Sequence, residues 1–354
     1  MSGGVDSSMA AALLVDEGHD VTGVHLKMAD TPSGLPGKGC CTLDDARDAR
    51  RVADLLDIGF YVWDLSEPFR ERVVDDFVAE YAAGRTPNPC VRCNERVKYT
   101  ALLARARALG FDALATGHHV RLRRDGSGKA TSTRMLRAED PGKDQTYVLY
   151  MATQEQLACT LWPVGEHRKR DLRALAAERG LVTATKPDSN DICFIPSGDL
   201  GAFLRPRLGA REGAFVGPDG AVLGHHDGAY RFTVGQRRGL GLAGLDAPVY
   251  VTGIAGDTVH VGPREQLEAA VVEADRVSWV AGAPPAEPNL AAQVRYRGAP
   301  LPCALELLDA DRIRVTFGGE RPVGVAPGQA LVLYAGEECL GGGTITITPE
   351  GLSG

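Results

Sequence analysis

At 354 residues the chain has room for two or three domains with ample cores. A hydrophobic content of 44% with 24% charge is that of an ordinary globular enzyme; no apolar run reaches membrane-spanning length and no signal peptide is visible, which argues against a membrane partner and for the cytoplasm. The net charge of −7 excludes binding through a uniformly basic surface while leaving local basic patches open to nucleic acid, and eight cysteines in such a chain point to metal, cluster or sulfur chemistry, not a disulfide framework.

The first segment is the most informative. Ser2, Gly3, Gly4, Val5, Asp6 and Ser7 spell S-G-G-V-D-S, and a helical run follows over 9–17. Two glycines allow a tight turn that brings backbone N–H groups against an anion, and the helix adds its positive end. The serines can donate to phosphate oxygens, and Asp6 can hold the Mg²⁺ that accompanies a nucleotide. A capped turn before an ordinary amphipathic helix is the plainer reading; six residues in this order favour a nucleotide site. The string resembles the pyrophosphate-binding loop of the PP-loop ATP pyrophosphatases, which adenylate a substrate oxygen. It matches neither a Walker A loop nor a G-x-G-x-x-G fingerprint. In such folds a buried strand feeds the loop, and nothing precedes Met1. The expectation is that the start is misassigned or the first strand lost, and that this chain is not fully competent.

Strands are predicted over 21–27, 58–63 and 112–116, and helices over 44–56, 67–81 and 95–109. Thr42-Leu43-Asp44-Asp45 reads as a capping-box-like helix start. The alternation predicts a parallel sheet wrapped by helices, with ligands at the carboxyl ends of its strands. The stretch 154–180 reads as helical and charged. From about 206 glycine becomes frequent. Alternating runs over 293–297, 312–317, 330–334 and 344–348 predict the antiparallel strands of a small barrel. The implied division is 1–205, 206–273 and 274–354.

Gly84 to Asn94 holds Cys90 and Cys93 as C-x-x-C directly before a predicted helix. The helix N-terminus and Arg85, Arg92 and Arg96 should lower the thiol pKa values. No second C-x-x-C supports a structural zinc site. Cys193 is the other cysteine in a polar loop; Cys159, Cys303 and Cys339 read as packing residues, and Cys40 and Cys41 as buried at a helix start.

Along nearly its whole length the chain resembles the bacterial tRNA-specific 2-thiouridylases. The matching strings are S-G-G-V-D-S, G-R-T-P-N-P, A-T-G-H, K-D-Q-T-Y, I-C-F-I, G-Q-R-R-G-L-G, R-Y-R, P-G-Q and C-L-G-G-G. The resemblance implies an α/β PP-loop domain (adenine nucleotide α-hydrolase-like), a small central domain and a C-terminal antiparallel β-barrel. It implies ATP-dependent sulfur insertion at C2 of the wobble uridine in a tRNA anticodon stem-loop, with sulfur from a donor protein or free sulfide. By the same resemblance Ser2 to Ser7, Leu26 and Gly117 would bind ATP. Cys93 would be the nucleophile and Cys193 the persulfide carrier. Asn88, Pro89 and Cys90 would surround the target base. His118, Lys143, Asp144, Gln145, Arg295, Tyr296 and Gln329 would contact tRNA. Plainer roles exist for several: a loop histidine, a solvated charge pair, strand surface.

Many family members carry aspartate at the position of Cys90. The C-x-x-C here resembles a second branch, in which Cys90, Cys93 and Cys193 could ligate three irons of a [4Fe–4S] cluster. That route is favoured over the persulfide because it explains the third cysteine. Two rival classes stand beside both: a PP-loop synthetase or amidotransferase acting on a small molecule, and a non-catalytic tRNA- or cluster-binding protein.

Overall fold

The computed structural model describes residues 1–28, 42–126, 132–188, 192–195, 197–245 and 247–346. The chain opens with helix α1 (Val5–Asp16), strand β1 (Thr22–Lys27), helix α2 (Leu43–Leu55) and strand β2 (Gly59–Asp64). α2 starts where the sequence indicates. The Thr42 hydroxyl accepts from the Asp45 amide at 3.1 Å, and the Asp45 carboxylate accepts from the Thr42 amide at 3.0 Å. Such a cap is worth about 1 kcal/mol. β1 and β2 pair in parallel from Thr22 opposite Gly59 to Lys27 opposite Asp64.

Two long helices follow. Helix α3 runs through Ser66–Phe69, Arg70–Val74 and Asp75–Ala82, and α4 through Pro89–Arg92, Cys93–Leu102 and Leu103–Ala108. Both contain a wide, π-type stretch that hydrophobic periodicity does not reveal. α4 begins earlier than expected. The Asn88 side chain accepts from the Cys90 amide at 3.1 Å, and Pro89 occupies the first turn, where its missing N–H costs nothing. Both cysteines therefore lie inside the helix.

Strands β3 (Leu114–Ala115), β4 (Val120–Asp125) and β5 (Ser132–Arg137) come next. The stretch 154–180 is not one helix. It divides into α5 (Gln154–Ala158), β6 (Thr160–Leu161), a short turn at Pro163–Glu166 and α6 (Lys169–Glu178). Pro163 has no N–H to continue a helix. β3 pairs in parallel with β6, so the expected sheet exists as two parallel pairs. The other edges of β1 and β3 are unpaired among the described residues, and both strands line one cavity of about 1140 Å³. At the β1 edge the Met1 amine donates to the Val24 carbonyl, and burial pushes its pKa down to about 5.

Helix α7 (Leu200–Leu208) leads to a four-stranded sheet of β7 (Gly213–Val216), β8 (Val222–His226), β9 (Tyr250–Ala255) and β10 (Thr258–Gly262), in the order β8-β7-β10-β9. Its core is Phe215, Phe232, Val251, Val259 and Val261.

The last six strands are β11 (Val271–Trp279), β12 (Leu290–Gln293), β13 (Leu301–Leu307), β14 (Ile313–Thr316), β15 (Ala330–Ala335) and β16 (Glu338–Ile345). They pair antiparallel in the order β11-β14-β13-β12-β15-β16, and β16 pairs again with β11, which closes the barrel. Closure removes the exposed edges that an open sheet would leave. The strand expected over 293–297 ends at Gln293, so Arg295 and Tyr296 sit in the turn that follows. The run expected over 344–348 is the end of β16; 347 and 348 lie outside the described residues, as do Cys40 and Cys41.

The β4–β5 hairpin, from the first part of the chain, joins this sheet through Glu338 opposite Leu136 and Cys339 opposite Met135. Tyr147, Leu149 and Tyr150 then pack in one core with Val332, Tyr334 and Cys339. Barrel and first domain are thereby fastened to each other. Among the described residues no helix is long and apolar enough to cross a membrane.

Candidate active site

The opening loop folds around its own side chains. Ser7 Oγ accepts from the Ser2 amide at 3.0 Å, and the Ser7 and Ser8 hydroxyls donate to the Gly4 carbonyl at 3.1 and 2.9 Å. Ser8 is fully buried and closes the first turn of α1. Gly3 has φ +74°, and a Cβ there would lie 2.3 Å from the Asp45 carbonyl oxygen. Gly117, at the end of β3, presses against the loop from the other side. Its Cβ would come within 2.6 Å of the Asp6 carbonyl carbon and the Ser7 amide nitrogen. The two glycines are therefore required by close approach of backbone to backbone.

The cavity joins this loop to the barrel. Ser2, Gly4 and Asp6 line it together with Lys143, Lys169 and, from the barrel end of the chain, Tyr296. Leu26 and Gly117 line it as well, whereas Cys90, Cys93 and Cys193 do not.

Asp6 points at partners that sequence reasoning missed. Lys169 Nζ donates to both of its oxygens at 2.6 Å, and His119 Nε2 donates to Oδ1 at 3.0 Å. Lys169 and His119 are buried, and His119 Nδ1 has no partner among the described residues. Burial alone would raise the Asp6 pKa, but the hydrogen bonds from His119 and Lys169 outweigh it and hold the carboxyl below its ordinary value.

Lys169 also reaches Asp188 Oδ1 at 3.0 Å. The same carboxylate receives Lys143 at 2.8 Å and Arg173 at 2.7 Å. Here too burial would raise the pKa, and the hydrogen bonds from Lys143 and Lys169 overcome it and hold it well below the carboxylate range. Depressed carboxyl pKa values contribute stability that is complete above the unfolded-state value of about 4 and is lost as pH falls through the folded value. Thermal unfolding is therefore expected to be flat near neutrality and to drop in acid, with a shallower acid limb in Asp188→Asn. An unchanged acid limb in that variant would remove Asp188 from the account.

Other expected residues fall into different settings. His118 is buried in the cavity wall: Lys98 Nζ donates to its Nε2 at 3.3 Å, and Nδ1 lies 2.7 Å from the Thr116 hydroxyl. Burial lowers its pKa well below the ordinary histidine value, so the ring is neutral. Asp144 is engaged by Arg137 at 3.1 Å and by the Thr146 hydroxyl at 2.8 Å. Gln145 accepts from the His119 amide at 2.8 Å. Arg295 donates through Nε to the Gly324 carbonyl at 3.0 Å, and Gln329 donates to the Thr86 carbonyl at 2.8 Å. Tyr296 packs on Tyr147 with ring centroids 6.0 Å apart while remaining 41% exposed.

Cys93 is buried in the apolar cluster of Met28, Trp63, Phe69 and Val97, and Cys193 with Phe194 packs on the same cluster. Cys90, one helical turn earlier, is exposed and lies near enough to Tyr296 to influence its ionisation. Three helical positions thus separate the pair between two environments. The arginines expected to activate them are turned to carboxylates: Arg85 to Glu80, Arg92 to Glu95 and Arg96 to Asp76, the last two at 2.8 Å. Their charge is compensated locally. Among the described residues no three His, Cys, Asp or Glu side chains are gathered to share a metal ion. Cys339 is buried in the core shared by barrel and first domain, with its thiol pKa raised by that burial. Cys303 packs against the barrel core, and burial pushes its thiol up to about 11.

Three family models match the chain. Residues 1–197 match the tRNA methyl transferase HUP domain, 201–263 the tRNA methyl transferase PRC-barrel domain and 270–345 the aminomethyltransferase beta-barrel domain. Curated relatives named tRNA-specific 2-thiouridylase MnmA include that of Mycolicibacterium smegmatis, 52% identical over 98% of this chain and 98% of that protein. That of Acidothermus cellulolyticus is 52% identical over 98% and 96%, and that of Thermobifida fusca 50% identical over 98% and 94%.

Proposed function

The chain belongs to the tRNA-specific 2-thiouridylase family, and from that premise we propose that it replaces the C2 oxygen of the wobble uridine in tRNA by sulfur at the expense of ATP. The observation that carries this is the cavity, which runs from the opening loop to the exposed ring of Tyr296. It offers phosphate donors at one part and a stacking surface at another. The division 1–205, 206–273 and 274–354 is part of the same reading, as is a cytoplasmic setting.

Ser2 to Ser7 would hold the triphosphate through backbone N–H groups and hydroxyls, with Leu26 and Gly117 beside the nucleoside. Lys169 and Lys143 neutralise charge as pyrophosphate leaves. Mg²⁺ enters with ATP as part of the substrate. Uracil O2 attacks the α-phosphorus and forms the adenylate. The terminal sulfur of a Cys193 persulfide then attacks C2 and AMP leaves. Cys93 thiolate attacks the Cys193 sulfur, breaking the S–S bond, forming a Cys93–Cys193 disulfide and leaving the thiocarbonyl on the base. An external thiol reductant resets the disulfide, and a sulfur donor reloads Cys193. The alternative is a [4Fe–4S] cluster, which Cys90, Cys93 and Cys193 would hold; no step here is routed through it. In this route Cys90 lies beside the target base with Asn88 and Pro89, and Cys90→Asp should retain thiolation without bound iron. Loss of activity in Cys90→Asp, together with parent activity that requires iron, would reinstate the cluster.

His118, Lys143, Asp144, Gln145, Arg295, Tyr296 and Gln329 would form the tRNA side. Asp144, Arg295 and Gln329 are already held by protein partners, so their part is to fix the surface that Lys143 and Tyr296 present. Phosphate contacts should dominate affinity despite the acidic net charge. Binding should weaken roughly 10³-fold between about 50 and 200 mM salt if about six phosphates are neutralised. Filter binding across that range checks this; a flat curve would contradict it. ATP–pyrophosphate exchange with and without tRNA tests the reading against a small-molecule synthetase, which would exchange without tRNA.

A further inference from the structure

Four lysines line the cavity: Lys98, Lys143, Lys169 and Lys186. Three of them have their charge already met. Lys143 pairs with Asp188, Lys169 with Asp6 and Asp188, and Lys186 with Asp45 and Asp48. Any of these that turns to a phosphate leaves a carboxylate behind. Lys98 has no carboxylate partner among the described residues; its ammonium donates to Nε2 of His118 at 3.3 Å. An ammonium has no lone pair, so Nε2 is the accepting nitrogen and the ring proton sits on Nδ1. Nδ1 then donates to the Thr116 hydroxyl at 2.7 Å. Thr116 is bonded in turn to the Tyr99 hydroxyl, which accepts from the Trp162 indole at 2.8 Å. His118, Tyr99 and Trp162 are buried, with ring centroids between 6.2 and 6.5 Å apart. This chain of bonds fixes the tautomer of His118 and aims its lone pair at Lys98.

We propose that Lys98 is a catalytic residue that holds the α-phosphate of ATP while the uridine is adenylated, with His118 as the residue that positions it. The assignment rests on the nucleotide reading of the opening loop. Lys98 lies in α4, five positions after Cys93. Leu102, four positions further on, lines the cavity and also packs in the cluster that holds Cys93. Lys98 therefore faces the cavity from the helix that carries the thiol. The Met1 amine, where the opening loop begins, has its pKa lowered by burial and then by the charge of Lys98. The ammonium thus stands between loop and thiol, and the α-phosphorus, the phosphate atom that becomes joined to the base, belongs there. When uracil O2 attacks, the bond from the α-phosphorus to the bridging oxygen breaks, and its electron pair leaves with pyrophosphate. Lys98 donates to a non-bridging oxygen and meets the charge that builds there, without transferring its proton. The same contact steadies AMP as sulfur displaces it. With both ring nitrogens engaged, the side chain of His118 acts on the substrates through Lys98.

The test is tRNA-dependent ATP–pyrophosphate exchange by the full chain at saturating ATP, with tRNA affinity and unfolding temperature read on the same samples. Lys98→Ala should lower exchange by roughly 10²–10³-fold while the other two readings change little, since no carboxylate is stranded. Propylammonium replaces the missing stem and its ammonium, and should raise exchange by Lys98→Ala at least about tenfold; tetramethylammonium has no N–H to donate and should raise nothing. His118→Phe keeps the ring packing without the acceptor and should lose about tenfold or more, and His118→Gln, which returns an acceptor, should recover most of that loss. A fall in Lys98→Ala that propylammonium does not relieve would overturn the assignment. Near-parent exchange by Lys98→Ala would overturn it as well, with the nucleotide site left standing. Equal exchange by His118→Phe and the parent would remove His118 from it. If the parent chain shows no exchange with tRNA present, the nucleotide reading fails and takes the assignment with it.

Discussion

Cys193→Ser and Cys93→Ala are each expected to abolish formation of 2-thiouridine while leaving tRNA binding within about twofold. The first removes the atom that carries sulfur, and the second removes the thiolate that cleaves the S–S bond. Neither side chain lines the cavity, so neither loss should disturb nucleotide or RNA contacts. The two variants should differ in what accumulates. Cys193→Ser should still release pyrophosphate on tRNA, because adenylation needs no sulfur. Cys93→Ala should trap the base joined to Cys193 through a disulfide, a covalent adduct seen on a non-reducing gel. Truncating buried Cys93 leaves a small cavity and some loss of stability, so the melting temperature is read alongside. Near-normal thiolation by either variant would end the role assigned to that cysteine.

Asp6→Ala is expected to lower ATP–pyrophosphate exchange by roughly 10²–10³-fold, the scale on which a preorganised electrostatic group acts. Stability should suffer less than the burial of the pair suggests. Removing one member of a buried ion pair is usually costly because a charge is stranded. Here Lys169 keeps Asp188 at 3.0 Å, so its ammonium is not left alone. The signature is a large fall in exchange with a small shift in unfolding temperature. A fall in both together would mean that Asp6 is chiefly a structural anchor for α6.

These expectations depend unequally on what can be read from the chain. The opening loop is legible because its chemistry is local: two glycines, three serines and a helix start within eight residues. The start of α2 is legible for the same reason, since both halves of its cap lie in Thr42-Leu43-Asp44-Asp45. The barrel strands show their alternation, although Arg295 and Tyr296 prove to follow a strand instead of belonging to one. Non-local pairings are not visible. Nothing in residues 120–137 indicates that this hairpin joins a barrel two hundred positions away, Leu136 meeting Glu338. Lys169 reads as one charge in a charged stretch, yet it is the residue that closes on Asp6 across 163 positions. The arginines around C-x-x-C mislead for a related reason. A positive field is suggested by the arginines alone, but Arg85 and Arg92 turn to the nearby carboxylates of Glu80 and Glu95, and folding brings Asp76 to Arg96 from twenty positions away. The spacing of Cys90 and Cys93 suggests one metal centre, and the helix that contains them puts one thiol outside and the other in the core.

The most direct test of the central claim is the nucleoside composition of unmodified tRNA after incubation with the protein, MgATP, a persulfide donor and a thiol reductant. 2-Thiouridine is expected at the wobble position, formed only when ATP is present, with one pyrophosphate and one AMP released per sulfur inserted. Pyrophosphate release without tRNA, or tRNA bound but left unmodified under these conditions, would contradict it.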